Sequence, residues 1–177
     1  MYMRRKKFQN GSILDSRRQP KTVTPAEALK KLAALCARGE HSTGEADEKM
    51  RHWGLAEADR VQVIQKLVES KFIDDRRFAG YFVHDKIKFN RWGRRKIEVA
   101  MRQKGIDEET MREVLDAVPD EEYLNVLRPM IEDKMGKTAG KTDYERAMKT
   151  IKWAVGRGFS LDLIRQCIDE AEEINDD

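Results

Sequence analysis

Met101-Arg102-Gln103-Lys104-Gly105-Ile106 reads as a helix end: an inward methionine, a glycine free to turn left-handed, and a bulky apolar residue behind it. The arrangement occurs twice more. Gly54 is followed by Leu55 and Gly158 by Phe159, at spacings of 51 and 53 residues from Gly105. Four positions before each glycine stand Met50, Met101 and Ala154; nine and ten after come Val63-Ile64, Val114-Leu115 and Cys167-Ile168. Agreement at several offsets argues for an internal repeat of helix, glycine cap and second amphipathic helix. A longer helix precedes each pair, over about 25–38, 75–91 and 120–136.

The fold expected from this register is all-α, with three tandem three-helix modules of about 50 residues each. The boundaries fall at 22–73, 74–118 and 119–177. A module of that size buries little surface alone, so neighbours must share interfaces in an elongated or curved array. Local signals agree. Thr24-Pro25-Ala26-Glu27 and Ser42-Thr43-Gly44-Glu45 both read as capping boxes. Pro129 is the exception: a mid-helix proline costs about 3 kcal/mol, so a kink or break is expected there.

Composition excludes most alternatives. Of 177 residues, 38% are charged and 7% aromatic, and Gly and Pro number only 11 and 4, too few turn formers for a sandwich or barrel. Cys36 and Cys167 cannot make a disulfide framework, and Cys36 fits a small core position. No apolar run reaches the ~18 residues of a membrane span, and the basic start has no apolar segment after it. The expectation is a soluble, cytoplasmic protein, monomeric, with no membrane contact.

Chemistry-bearing constellations are thin. His41, His52 and His84 lack the spacing of a zinc-binding helix, and Gly156-Arg157-Gly158 is not a phosphate loop. Asp74-Asp75 fits a helix N-cap better than a carboxylate dyad. No catalytic residue, metal or cofactor is expected, and the chain is read as a non-enzyme. Charge is more informative. The net +3 conceals blocks: residues 1–21 carry seven Lys/Arg and one acid, and 86–104 carry eight against Glu98 alone. Residues 105–135 are strongly acidic. The first block reads as a flexible basic arm. The second points to an anionic partner. Its candidate binding residues are Lys88, Arg91, Arg94, Arg95, Lys96, Arg102 and Lys104. Arg95 and Arg102 share an outer face of helix 94–104, while Ile97, Ala100 and Met101 face inward. Arg94, Arg95 and Lys96 oppose the helix macrodipole, which suggests that they serve an external anion.

Ile73-Asp74-Asp75-Arg76-Arg77-Phe78-Ala79, then Phe82-Val83, then Gly93 and a basic helix ending in Lys104-Gly105-Ile106, resembles the central motif of the RecX family. The likeness is strong over about 70–106, weaker over 24–70 and loose beyond 118. Pro129 and the basic arm depart from it. The resemblance implies tandem three-helix repeats and a bacterial regulator of the RecA recombinase. Such a regulator binds in the groove of the RecA–DNA filament and inhibits ATP hydrolysis and strand exchange, in DNA repair and recombination. The Asp74-Asp75 motif is read mainly as capping and packing between modules. Two other readings stand beside this one. One is a free-standing DNA-binding protein using the arm and the basic helix; the other is a structural adaptor without nucleic-acid linkage.

Overall fold

The structure, a computed structural model, describes residues 23–175, the side chains of 170–175 excepted. The arm expected at 1–21 lies outside the described residues. Among those described, nine helices and no strand occur: α1 (Pro25–Cys36), α2 (Thr43–His52), α3 (Glu57–Glu69), α4 (Asp75–Lys88), α5 (Arg94–Gln103), α6 (Glu108–Asp116), α7 (Asp120–Lys137), α8 (Asp143–Gly156) and α9 (Leu161–Asn175). The fold is all-α, three helices at a time. No helix among the described residues is long and apolar enough to cross a membrane.

The three glycine turns share one hydrogen-bond scheme. Gly54, Gly105 and Gly158 have φ of 79°, 75° and 91°. The residue behind each glycine donates its N–H to the carbonyl four positions before that glycine: Leu55 to Met50 (3.1 Å), Ile106 to Met101 (3.2 Å), Phe159 to Ala154 (3.4 Å). This is a Schellman closure. It explains why the repeat is visible at those offsets. Leu55, Ile106 and Phe159 are all buried against the helix ends they close.

At the N-termini the sequence is partly right. Thr24 and Glu27 form the reciprocal capping box, with Thr24 N–H donating to Glu27 Oε2 (2.9 Å) and Glu27 N–H to Thr24 Oγ1 (3.3 Å). The second box is only half made. Ser42 Oγ accepts from Glu45 N–H (3.1 Å), but the Glu45 carboxylate turns to His41 and Lys104 instead. Asp74 caps α4 by accepting from Arg77 N–H (3.0 Å).

Two apolar cores hold the chain. One lies within α1–α3 and the segment after it, with Ala28, Leu32, Met50, Leu67 and Ile73 buried. The other is continuous across α4–α9, with Ile87, Ile97, Met101, Leu115, Leu127, Ile131, Phe159 and Ile164 at its centre. Helix α4 packs on α7 across that junction. The expected break at Pro129 does not occur: α7 runs unbroken through it. Leu124, Leu127, Met130 and Ile131 are buried on either side, while Pro129 itself is exposed. Burying four such side chains at about 1.5–3 kcal/mol each outweighs the roughly 3 kcal/mol that a mid-helix proline costs.

Tyr123, also in α7, is 3% exposed, and its hydroxyl has no hydrogen-bond partner among the described residues. Burial pushes its pKa up to about 12. A buried unpartnered hydroxyl gives nothing back for its lost hydration. Tyr123→Phe is therefore expected to leave stability unchanged or raise it by up to about 1 kcal/mol in chemical denaturation. A loss beyond about 1 kcal/mol would contradict the unpartnered hydroxyl.

Candidate functional site

Backbone contact between modules places the basic segment. The N-terminus of α5 has no side-chain cap. Instead Gly93 N–H donates to Arg157 O (2.9 Å) and Arg95 N–H to Gly158 O (3.1 Å). The negative end of α8 thus meets the positive end of α5. This corrects the macrodipole argument: the Arg94-Arg95-Lys96 cluster is offset from within the chain, and the helix end is not open to an external anion. Contact is close enough that a Cβ on Gly93 would lie 2.2 Å from Phe159 N.

The preceding junction uses the same parts with different chemistry. Here α2 meets the α5–α6 turn, and a Cβ on Gly44 would lie 2.3 Å from Lys104 O. Ser42 Oγ donates to Lys104 O (2.7 Å), and Lys104 Nζ pairs with Glu45 (2.6 Å). Asp75 accepts from Thr43 N–H (2.8 Å) and Thr43 Oγ1–H (2.5 Å), and Arg77 pairs with Glu40 (2.7 Å). This seam is polar. The junction between the second and third modules, by contrast, shares an apolar core.

Burial alone raises the Glu45 carboxyl, but hydrogen bonds from Lys104 and His41, with the Lys104 charge, outweigh it and hold the pKa below the ordinary value. A depressed carboxyl contributes stability above its unfolded pKa, and that contribution disappears as pH falls through the folded one. The 42–45 seam is accordingly expected to loosen below about pH 4, near and beneath the ordinary glutamate value. Protection factors for amide exchange at residues 42–46, taken relative to the intrinsic rate at each pH, should fall there in wild type. In Glu45→Gln, protection should already be lower at neutral pH and should show less of this acid step; an unchanged profile would contradict the assignment.

The seven candidate residues divide sharply. Arg94 donates to Leu115 O (3.1 Å) and pairs with Asp116; Arg102 pairs with Glu108 (2.7 Å) and approaches Glu98 (3.8 Å); Lys104 is held by Glu45. These three are engaged inside the chain. Lys88, Arg91, Arg95 and Lys96 are exposed and have no ion pair among the described residues. Arg91 lies outside the expected helix: α4 stops at Lys88, and Arg91 takes φ 54° in the turn to α5.

Charge reading missed three neighbours that the fold brings in. Lys86 lies over the rings of Phe82 (4.9 Å) and Trp92 (5.4 Å), and Lys96 covers Trp92 from 4.8 Å. Arg157 stacks over Trp153 (5.1 Å), with Lys134 at 5.5 Å from the same ring. Such contacts support cations without neutralising them. Of these, Lys86 belongs to the basic block 86–104 and Arg157 to a second basic stretch at 136–158, whereas Lys134 lies in the acidic 105–135 segment and had no signal in the charge pattern. Two open clefts, of about 680 and 470 Å³, are lined largely by charges, many of them already paired, among them Arg94, Asp116, Glu45 and Lys104.

Comparison with known proteins follows the same division. Residues 74–115 match the family model "RecX, second three-helix domain", and 120–168 match "RecX, third three-helix domain". "Regulatory protein RecX" of Acinetobacter baylyi is 27% identical over 146 residues, 82% of this chain and 89% of that protein. The namesake of Lactobacillus johnsonii is 25% identical over 162 residues, 91% of this chain but 59% of its own length. That of Bacillus cytotoxicus is 26% identical over 133 residues, 75% of this chain and 49% of its own length. The chain thus spans about half to three-fifths of several curated relatives it matches. The crystal structure of RecX from Lactobacillus salivarius superposes with a TM-score of 0.77 at 19% identity, over 84% of this chain and 96% of that one. Helix triples, glycine caps and both family matches lead to one assignment: this chain belongs to the RecX family of regulatory proteins.

Proposed function

We propose that this chain is a non-enzymatic, cytoplasmic modulator of the RecA recombinase, binding the RecA–DNA filament as a monomer and lowering its ATPase and strand exchange. The observation that carries this reading is the set of exposed cations Lys88, Arg91, Arg95 and Lys96 on the middle module, which have no ion pair among the described residues. They sit on a scaffold of the RecX family. Units at 22–73, 74–118 and 119–177 would present that face, with 1–21 adding salt-screened attraction. Arg94, Arg102 and Lys104 belong to this proposal as residues that hold the face in place.

A cosedimentation assay tests it. RecA filaments assembled on single-stranded DNA should carry the protein into the pellet, and naked DNA at the same salt should carry much less. The alternative, a free-standing DNA-binding protein, draws on the same cations. It predicts equal recovery with or without RecA, and a loss of ~10³–10⁵ in affinity between 50 and 200 mM salt for 6–10 phosphate contacts.

A further inference from the structure

Phe89, at the C-terminal cap of α4, is 71% exposed and takes no part in either core. The turn that carries it is not loose. Phe89 N–H donates to Asp85 O (2.9 Å), Arg91 N–H to Ile87 O (3.1 Å) and Trp92 N–H to Lys86 O (3.1 Å). Trp92, three residues on, does pack against the core beneath Lys86 and Lys96. One aromatic of this turn is thus folded inward, and the other is held out in water.

A single exposed apolar side chain needs no explanation by itself. The setting of Phe89 is what singles it out. Residues 86–97 contain no acid. Lys88 lies over the Phe89 ring at 5.3 Å, and Arg91, Arg95 and Lys96 are exposed nearby in sequence without ion pairs among the described residues. The matching ligand must offer spaced negative charge together with an accessible flat apolar face. An acidic protein surface offers the charge and leaves Phe89 unmatched. A duplex offers phosphates, but its base faces are hidden in the stack. Single-stranded nucleic acid offers both, and aromatic stacking beside basic tracking is how such strands are held without sequence preference.

We propose that the α4–α5 turn is a single-strand contact in which Phe89 stacks on a base while Lys88, Arg91 and Arg95 hold flanking phosphates. This rests on the reading above that the middle-module cations form the binding face, and it names which component of a protein–DNA filament they touch. Nothing in the packing of the core requires Phe89, so variants there should fold.

The test uses the full chain and a fluorescein-labelled dT20 strand, with a 20-base-pair duplex as comparison, by anisotropy at one low salt concentration. Phe89→Ala should weaken dT20 binding about five- to tenfold or more and leave duplex binding within twofold, while Phe89→Trp should keep it. Photocrosslinking to a strand containing 5-iododeoxyuridine should attach at Phe89. A folded Phe89→Ala protein that binds dT20 as wild type overturns the stacking contact, whatever its effect on RecA. Loss of RecA inhibition with unchanged dT20 binding also overturns it and makes Phe89 a protein-docking residue, leaving the filament reading intact. The filament reading fails separately, if wild type binds dT20 through Phe89 and never associates with RecA filaments.

Discussion

Gly93→Ala is expected to destabilise the chain by about 3–5 kcal/mol. The new Cβ would stand 2.2 Å from Phe159 N and 2.3 Å from Gly158 C, both backbone atoms that cannot swing aside. Overpacking of that kind costs about 1–3 kcal/mol through forced backbone shifts. Separating the two strands of chain also endangers the Gly93–Arg157 and Arg95–Gly158 hydrogen bonds, each worth about 1 kcal/mol. Gly80→Ala is the internal control. Gly80 lies inside α4 with nothing within 4 Å of a built Cβ, so an alanine there should be neutral or stabilise by up to about 1 kcal/mol. Thermal and urea unfolding of the two variants should move apart. If Gly93→Ala melts with wild type, the α5–α8 junction is not the close contact described.

The second large effect concerns charge. Reversing Arg95 and Lys96 together to glutamate is expected to weaken association with the RecA filament by at least tenfold, which needs only about 1.4 kcal/mol at the interface. Both side chains are exposed and without ion pairs among the described residues, so the reversal breaks no ion pair there, although it removes the Lys96 cation from the Trp92 ring (4.8 Å) and folding of the variant is checked first. Arg102→Glu is a different experiment, although it lies on the same helix. Arg102 faces Glu108 and Glu98, and burial is absent, so the reversed residue meets two like charges on its own chain. Its defect would be local, and a loss of filament binding there could not be assigned to a lost partner contact. Unchanged filament binding by a folded Arg95→Glu/Lys96→Glu protein would remove this face from the account.

These contrasts show what was legible in the sequence. The caps at Gly54, Gly105 and Gly158 were readable because each is closed by hydrogen bonds spanning five residues, within one window of sequence. The helices followed from local capping and apolar spacing. The close approaches of Gly44 to Lys104 and of Gly93 to Gly158 were not readable, because the partners lie about sixty residues apart. Nor could the seven candidate cations be sorted, with partners ranging from six residues away for Arg102 to 59 for Lys104. Whether each is spent or open depends on Glu45, Glu108 and Asp116, which only the fold brings to Lys104, Arg102 and Arg94. Pro129 failed as a breaker because its penalty is local, while the burial that overrides it comes from the surrounding helices of the second core.

The most direct measurement is the ATPase of RecA on single-stranded DNA, titrated at fixed salt with wild type and with Arg95→Glu/Lys96→Glu. Wild type should suppress hydrolysis in a saturable manner, and the double reversal should need at least tenfold more protein for the same suppression. An ATPase rate that wild type leaves unchanged across the titration would contradict the account at its centre.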